Sequence, residues 1–219
     1  MRKALLAIYR KLFRHFGPRH WWPGEGAFEV MVGAILTQNT AWPNVEKAIN
    51  NLKKEKALSP KKLETIKLKK LRRLIKPSGY YNEKAKKLKN LTAFLRRSCG
   101  FEIKKLKRKK LKELRRSLLG VNGIGPETAD SILLYALEKP VFVVDAYTRR
   151  IFSRLGLIGE NAGYAEIQSF FTDNLPKKTK LFNEYHALIV ELGKTYCRKG
   201  RAICGKCPLK LGKKRGNMV

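Results

Sequence analysis

Three short stretches carry residue types that could do chemistry. In GIGPETADSI (residues 123–132) two glycines flank Ile124 just before a helical pattern that begins near Pro126. Glycines let a turn take positive φ and let another backbone come close. Amides at such a turn, with those opening the helix, suit a phosphate; an ordinary helix–helix corner is the plainer reading. Downstream, the apolar run VFVV ends in Asp145, and AYTRR starts another helix. A carboxylate there suits the N-cap of that helix. Near the end, Cys197, Cys204 and Cys207 follow C-x6-C-x2-C in a chain with four cysteines in all. Donors so spaced suit an iron–sulfur cluster, a zinc ion with a further ligand, or a loop that keeps its shape without metal. Cys99, beside Gly100, reads as a small buried thiol. His186 lies on an amphipathic stretch and reads as a packing or hydrogen-bonding residue.

The chain that must position these groups has 219 residues, 43% of them hydrophobic, enough for a buried core in one large domain or two small ones. Lys and Arg number 49 against 17 Asp and Glu, a formal charge of +32. Heat adaptation adds acids along with lysines, so it does not account for this imbalance. A polyanion does, with nucleic acid favoured over an anionic membrane surface, which would also want an apolar insertion face. No apolar run reaches membrane-spanning length and no signal segment opens the chain, so a cytoplasmic protein is expected. Four cysteines are too few for a disulfide scaffold.

Apolar residues recur mostly at helical spacing. Leu5 to Phe16 mark a first helix, stopped by Gly17-Pro18, and AFEVMVGAILTQ (27–38) a second. Pro43 and Ser59-Pro60 open two more. Asn82 is expected to cap a long helix that Gly100 ends. Further helices are predicted over about 104–119, 125–138, 145–155, 163–174 and 178–196. VFVV is too short and isolated to imply a sheet, so the chain reads as all-α.

From Leu118 to Arg150 the chain resembles the helix-hairpin-helix, Gly/Pro-rich-loop and aspartate signature of the endonuclease III superfamily of DNA glycosylases. LTQNT (36–40), SGYYNEKAKKL (78–88) and the Cys cluster extend the resemblance over nearly the whole chain. It implies a two-lobed fold. A six-helix barrel would span 27–140, with the hairpin at 118–137. Residues 1–26 and 141–219 would form a second helical lobe with the Cys-rich loop at 197–207. DNA would lie across the cleft between the lobes, with Asp145 at its mouth. The implied activity is removal of a damaged base from double-stranded DNA by a monomeric enzyme that needs no nucleotide cofactor and no membrane, near the nucleoid if the cell is prokaryotic. Asp145 would stabilise the oxocarbenium-like transition state and orient water.

In bifunctional members of that superfamily a lysine precedes Thr-Ala in the hairpin's second helix, attacks C1′ and forms a Schiff base. Glu127 occupies that position here and Pro126 precedes it, which implies a monofunctional glycosylase. Glu127 would help hold water or the substrate base, or would be a first-turn acid favoured by the helix dipole. WWPG, the aromatic after LTQNT, PSGYYN and the acid in the hairpin are similar to the 3-methyladenine branch. By that similarity Trp42 stacks on the base, Trp21, Trp22 and Pro23 form pocket wall, and Gln38 or Asn39 fills the gap in the duplex. Asn82, Lys84, Gly123, Ile124, Gly125 and Thr128 would contact DNA. An alkylated purine is the expected substrate. Deaminated or mismatched bases, or a non-catalytic helix-hairpin-helix clamp, are the alternatives. The resemblance also implies a [4Fe–4S] cluster on Cys197, Cys204 and Cys207; the fourth family cysteine falls on Lys213, so the set is incomplete.

Overall fold

The computed structural model describes residues 1–210. Among them every regular element is helical, apart from one isolated bridge between Cys197 and Ala202. No helix among them is long and apolar enough to cross a membrane. The chain divides into two compact units, one of Met1–Trp21 with the chain from Pro140 onward, the other of Trp22–Lys139.

The Trp22–Lys139 unit is organised around α2 (Ala27–Leu36), whose residues from Phe28 to Leu36 are all buried. A helix apolar on every side belongs inside a bundle. Its one buried acid, Glu29, is neutralised by Lys53 at 3.0 Å. Against α2 packs α3 (Trp42–Lys54), with Pro43 in its first turn and Val45, Ala48, Ile49 and Leu52 forming its apolar face. The Ser59 hydroxyl caps α4 (Pro60–Thr65) by accepting from the Lys62 amide. Next come α5 (Leu68–Leu74) and a 3-10 turn at Lys76–Ser78. The long α6 (Tyr81–Cys99) ends at Gly100 in the left-handed region, whose amide donates to Arg96 O. Its N-cap is Tyr80, with φ 45°, and not the expected Asn82, which is exposed one residue inside the helix.

The helix expected over 104–119 is two, α7 (Ile103–Lys107) and α8 (Leu111–Leu119). Lys110 is extended between them, a break that the unbroken Lys/Leu periodicity conceals. Past the hairpin, α9 (Pro126–Ser131) runs into a π-helical turn at Ile132–Ala136.

The other unit comprises α1 (Arg2–Phe16), α10 (Ala146–Arg154), α11 (Tyr164–Asn174) and α12 (Thr179–Thr195). Its core is aromatic: Phe142 stacks on Phe171 at 3.9 Å, and Phe152, Phe182 and Tyr185 meet them edge-on. Full burial of each such ring stabilises by about 1.5–3 kcal/mol. The VFVV segment is fully buried yet forms no strand. Side chains satisfy its backbone instead: Gln168 Nε2 donates to Phe142 O, and the Val144 amide donates to the Tyr164 hydroxyl. The Tyr185 hydroxyl donates to Leu5 O and joins α12 to α1.

Candidate functional site

The hairpin between α8 and α9 is closed by local backbone bonds, from Val121 N to Leu118 O and from Ile124 N to Val121 O. Ile124 is buried and anchors the turn from inside. Gly123 has φ +91°, and a Cβ there would run into the aliphatic stem of Lys87. Gly125, expected to need the same freedom, is extended at φ −87°, with open space where a Cβ would stand. The amides of Gly123 and Gly125 have no acceptor among the described residues. Between the two helices Arg115 grips the fully buried Asp130 through two bonds, Nε to Oδ1 at 2.8 Å and Nη2 to Oδ2 at 3.0 Å. This bidentate pair ties α8 to α9. Glu127 is exposed in the first turn of α9.

Beside the hairpin lies the loop from Thr37 to Thr40. Lys84 and Lys87, one turn apart on α6, hold it. Lys84 was expected to meet DNA, but it sits on the buried face of α6 with Ala85, Leu88 and Leu91. Its ammonium donates to Leu36 O, Thr40 Oγ1 and Ser78 O at 2.7–2.8 Å, so no proton is left for a phosphate. Burial, helped by the charge of Lys87, pulls its pKa down to about 8. Lys87 donates to Gln38 Oε1 at 2.6 Å. Gln38 Nε2 in turn donates to Thr128 Oγ1 and to Gly123 O. Gln38 and Thr128 are thus bound to each other and tie the loop to the hairpin. Asn39, at φ +52°, is the residue that the loop's strained turn presents.

The aromatic residues separate. Trp22 meets Trp42 edge-on at 5.4 Å and Tyr135 at 5.2 Å, and it lies so close over Gly33 that a Cβ there would be 3.2 Å from its Nε1. Tyr135, which the sequence did not single out, is carried on the π-helical turn. All three rings are half-buried, and Pro23 is exposed. Trp21 belongs to the other unit, with Lys194 Nζ 5.6 Å from its ring centroid.

Asp145 is the N-cap of α10: its Oδ1 accepts from the Thr148 amide at 2.7 Å. Its Oδ2 faces His186 Nε2 at 3.5 Å, with only 12% and 7% of the two side chains exposed. Burial pushes the carboxyl up, but His186 and Thr148 together pull it further down, to below its ordinary value. Forty-one positions separate these partners, and nothing near either residue in the sequence announces the pairing.

In the Cys loop, Cys197 and Cys207 are buried and Cys204 is exposed, all as free thiols. Arg154 donates to Cys197 Sγ at 3.2 Å and to the carbonyls of Arg198 and Lys199, while Arg150 donates to Cys197 O. Burial pushes the Cys207 thiol up. The sulfurs are of the type that iron–sulfur clusters use. They are not gathered into a closed set, however: among the described residues no group of three or more His, Cys, Asp or Glu side chains could hold a metal ion. Lys213 lies outside the described residues.

Residues 32–177 match the family described as HhH-GPD superfamily base excision DNA repair protein. A Methanocaldococcus jannaschii protein, provisionally named a DNA repair glycosylase, is 54% identical over 210 residues, 95% of this chain and 94% of that one. The crystal structure of H. pylori 3-methyladenine DNA glycosylase bound to 1,N6-ethenoadenine is 33% identical, with a TM-score of 0.75 over 88% of this chain and 95% of that one. A trapped endonuclease III–DNA covalent intermediate superposes with a TM-score of 0.82 over 95% and 93% of the two chains; at 21% identity this speaks for the fold. Hairpin, capping aspartate and family match agree: the chain belongs to the HhH-GPD superfamily of base excision DNA repair proteins and is a DNA glycosylase of the endonuclease III superfamily.

Proposed function

We propose that the protein is a monofunctional glycosylase that removes an alkylated purine from double-stranded DNA by hydrolysis. The observation that carries this reading is the Asp145 carboxylate, sheltered, capping α10 and held ionised beside His186. As the C1′–N bond lengthens, its electron pair leaves with the base and positive charge builds on the sugar. A fixed anion stabilises that charge more in the transition state than in the ground state. The cationic base departs neutral with the electron pair, water adds to C1′ and passes its proton to solvent, and an abasic site is left. Glu127 stands where a lyase would need an amine and cannot form an imine. The amides of Gly123 and Gly125 suit a backbone phosphate, and Asn39, exposed in the loop, would enter the gap in the duplex.

Two observations support an alkylated purine. Trp22, Trp42 and Tyr135 form an electron-rich aromatic group suited to a flat, positively charged base. The H. pylori protein at 33% identity is a 3-methyladenine glycosylase. A [4Fe–4S] cluster would draw its thiolates from Cys197, Cys204 and Cys207 as scaffold only, with no step of base removal passing through it, but among the described residues these sulfurs do not form a set that could hold it. Iron and acid-labile sulfide analysis of purified protein checks this.

The test of the reading is release of free base from duplexes that each carry one lesion: 3-methyladenine, 1,N6-ethenoadenine, hypoxanthine, uracil or mismatched thymine. Release from the alkylated purines by wild type, and its loss in Asp145→Asn, is the expected result. Activity confined to uracil or thymine overturns the assigned substrate. DNA binding without release of any base overturns the enzyme reading.

A further inference from the structure

We infer that His186 is the positioning residue for Asp145, holding the second carboxylate oxygen so that the anion is set before a substrate arrives. The inference rests on the reading of Asp145 as the carboxylate of base removal. The N-cap bond from the Thr148 amide fixes Oδ1 alone, and a carboxylate held at one oxygen still swings about its terminal torsion. His186 Nε2 faces Oδ2 at 3.5 Å, within ion-pairing reach though without a hydrogen bond between them, and supplies the second point of hold.

The imidazole is itself fixed. It is buried on α12 along with Tyr185, Ala187 and Leu188, and the Tyr185 hydroxyl is bonded to Leu5 O. A two-point hold removes the reorganisation that a free carboxylate would undergo as charge develops.

The other titratable and charged groups nearby are engaged elsewhere. On α10, Arg149 reaches Ala162 O, Arg150 reaches Cys197 O and Gly193 O, and Tyr147 lies against Gly193. On α12, Glu184 accepts from the Arg19 amide, Glu191 pairs with the Arg19 side chain, and Lys194 lies by Trp21. From α1, the Tyr9 ring packs on Tyr185, and His15 bonds to the Tyr196 hydroxyl. From α11, the Tyr164 hydroxyl receives the Val144 amide. His186 is the group that meets the second oxygen of Asp145.

The experiment is single-turnover base release across pH by wild type, His186→Ala, His186→Gln and Asp145→Asn on a duplex containing 1,N6-ethenoadenine or 3-methyladenine, whichever wild type processes. Thermal melting of each variant checks that it is folded. Misplacing a reacting group by about 1 Å can lower a rate by roughly a hundredfold. His186→Ala is therefore expected to lower the saturated rate by about ten- to hundredfold, to leave DNA affinity within about threefold, and to move the acid limb to higher pH. Glutamine places an N–H donor near the position of Nε2 and is expected to restore most of the rate. An acid limb that stays put in folded His186→Ala, or a glutamine variant no better than alanine, overturns the inference. Asp145→Asn separates the two levels: unchanged base release there sinks the functional reading itself. Lost release there, beside an unmoved His186→Ala profile, removes only the role of His186.

Discussion

A carboxylate at a helix N-terminus beside an imidazole answers to two opposing forces. Burial favours the neutral acid, while the Thr148 amide and His186 favour the anion, and the anion wins. The sign for stability follows. The folded-state pKa of Asp145 is depressed, so its contribution is fully present above the unfolded value, about pH 4, and is lost as pH falls through the folded value. The stability gap between wild type and Asp145→Asn, measured by urea melts at stepped pH, is therefore expected to be widest from about pH 5 upward. It should close in more acidic solution. A gap that widens as acid is added would mean that the carboxylate is destabilised where it sits.

At the scale of the element, the hairpin makes the sharpest claims. Truncating Arg115 to Ala leaves Asp130 charged and buried without its fork, and is expected to cost about 2–4 kcal/mol in a urea melt. Gly123→Ala forces a side chain into positive φ against Lys87 and is expected to cost about 1–3 kcal/mol and weaken DNA binding. Gly125→Ala, in extended backbone with open space, is expected to stay within about 0.5 kcal/mol of wild type. Equal effects from the two glycines would contradict the turn geometry.

These elements also mark how far the sequence could be read. Helix starts at Pro43, Ser59-Pro60 and Asp145 were visible because caps and N-terminal prolines act locally, and Gly100 was visible as a stop for the same reason. The short α5 and the break at Lys110 were not, because lysine and leucine continue the helical pattern through both. Lys84 shows the limit within a single helix. Its spacing to Leu88 and Leu91 already put it on the buried face, but its charge suggested a phosphate. The pairs Arg115–Asp130, Gln38–Thr128 and Asp145–His186 depend on packing between helices, which no local pattern encodes.

At the scale of the whole molecule, a formal charge of +32 predicts binding dominated by released counterions. Affinity for undamaged duplex is expected to fall by about a thousandfold or more between roughly 50 and 200 mM salt, measured by fluorescence anisotropy. Base release from already bound DNA should change far less. A shallow salt dependence would mean that most of the lysines face solvent without meeting phosphate. The most direct measurement of the central claim is borohydride treatment of the enzyme during turnover on a duplex carrying an alkylated purine. The account predicts free base, an unbroken strand with an abasic site, no covalent adduct, and no base at all from Asp145→Asn. A trapped protein–DNA adduct, or undiminished release by Asp145→Asn, would contradict it.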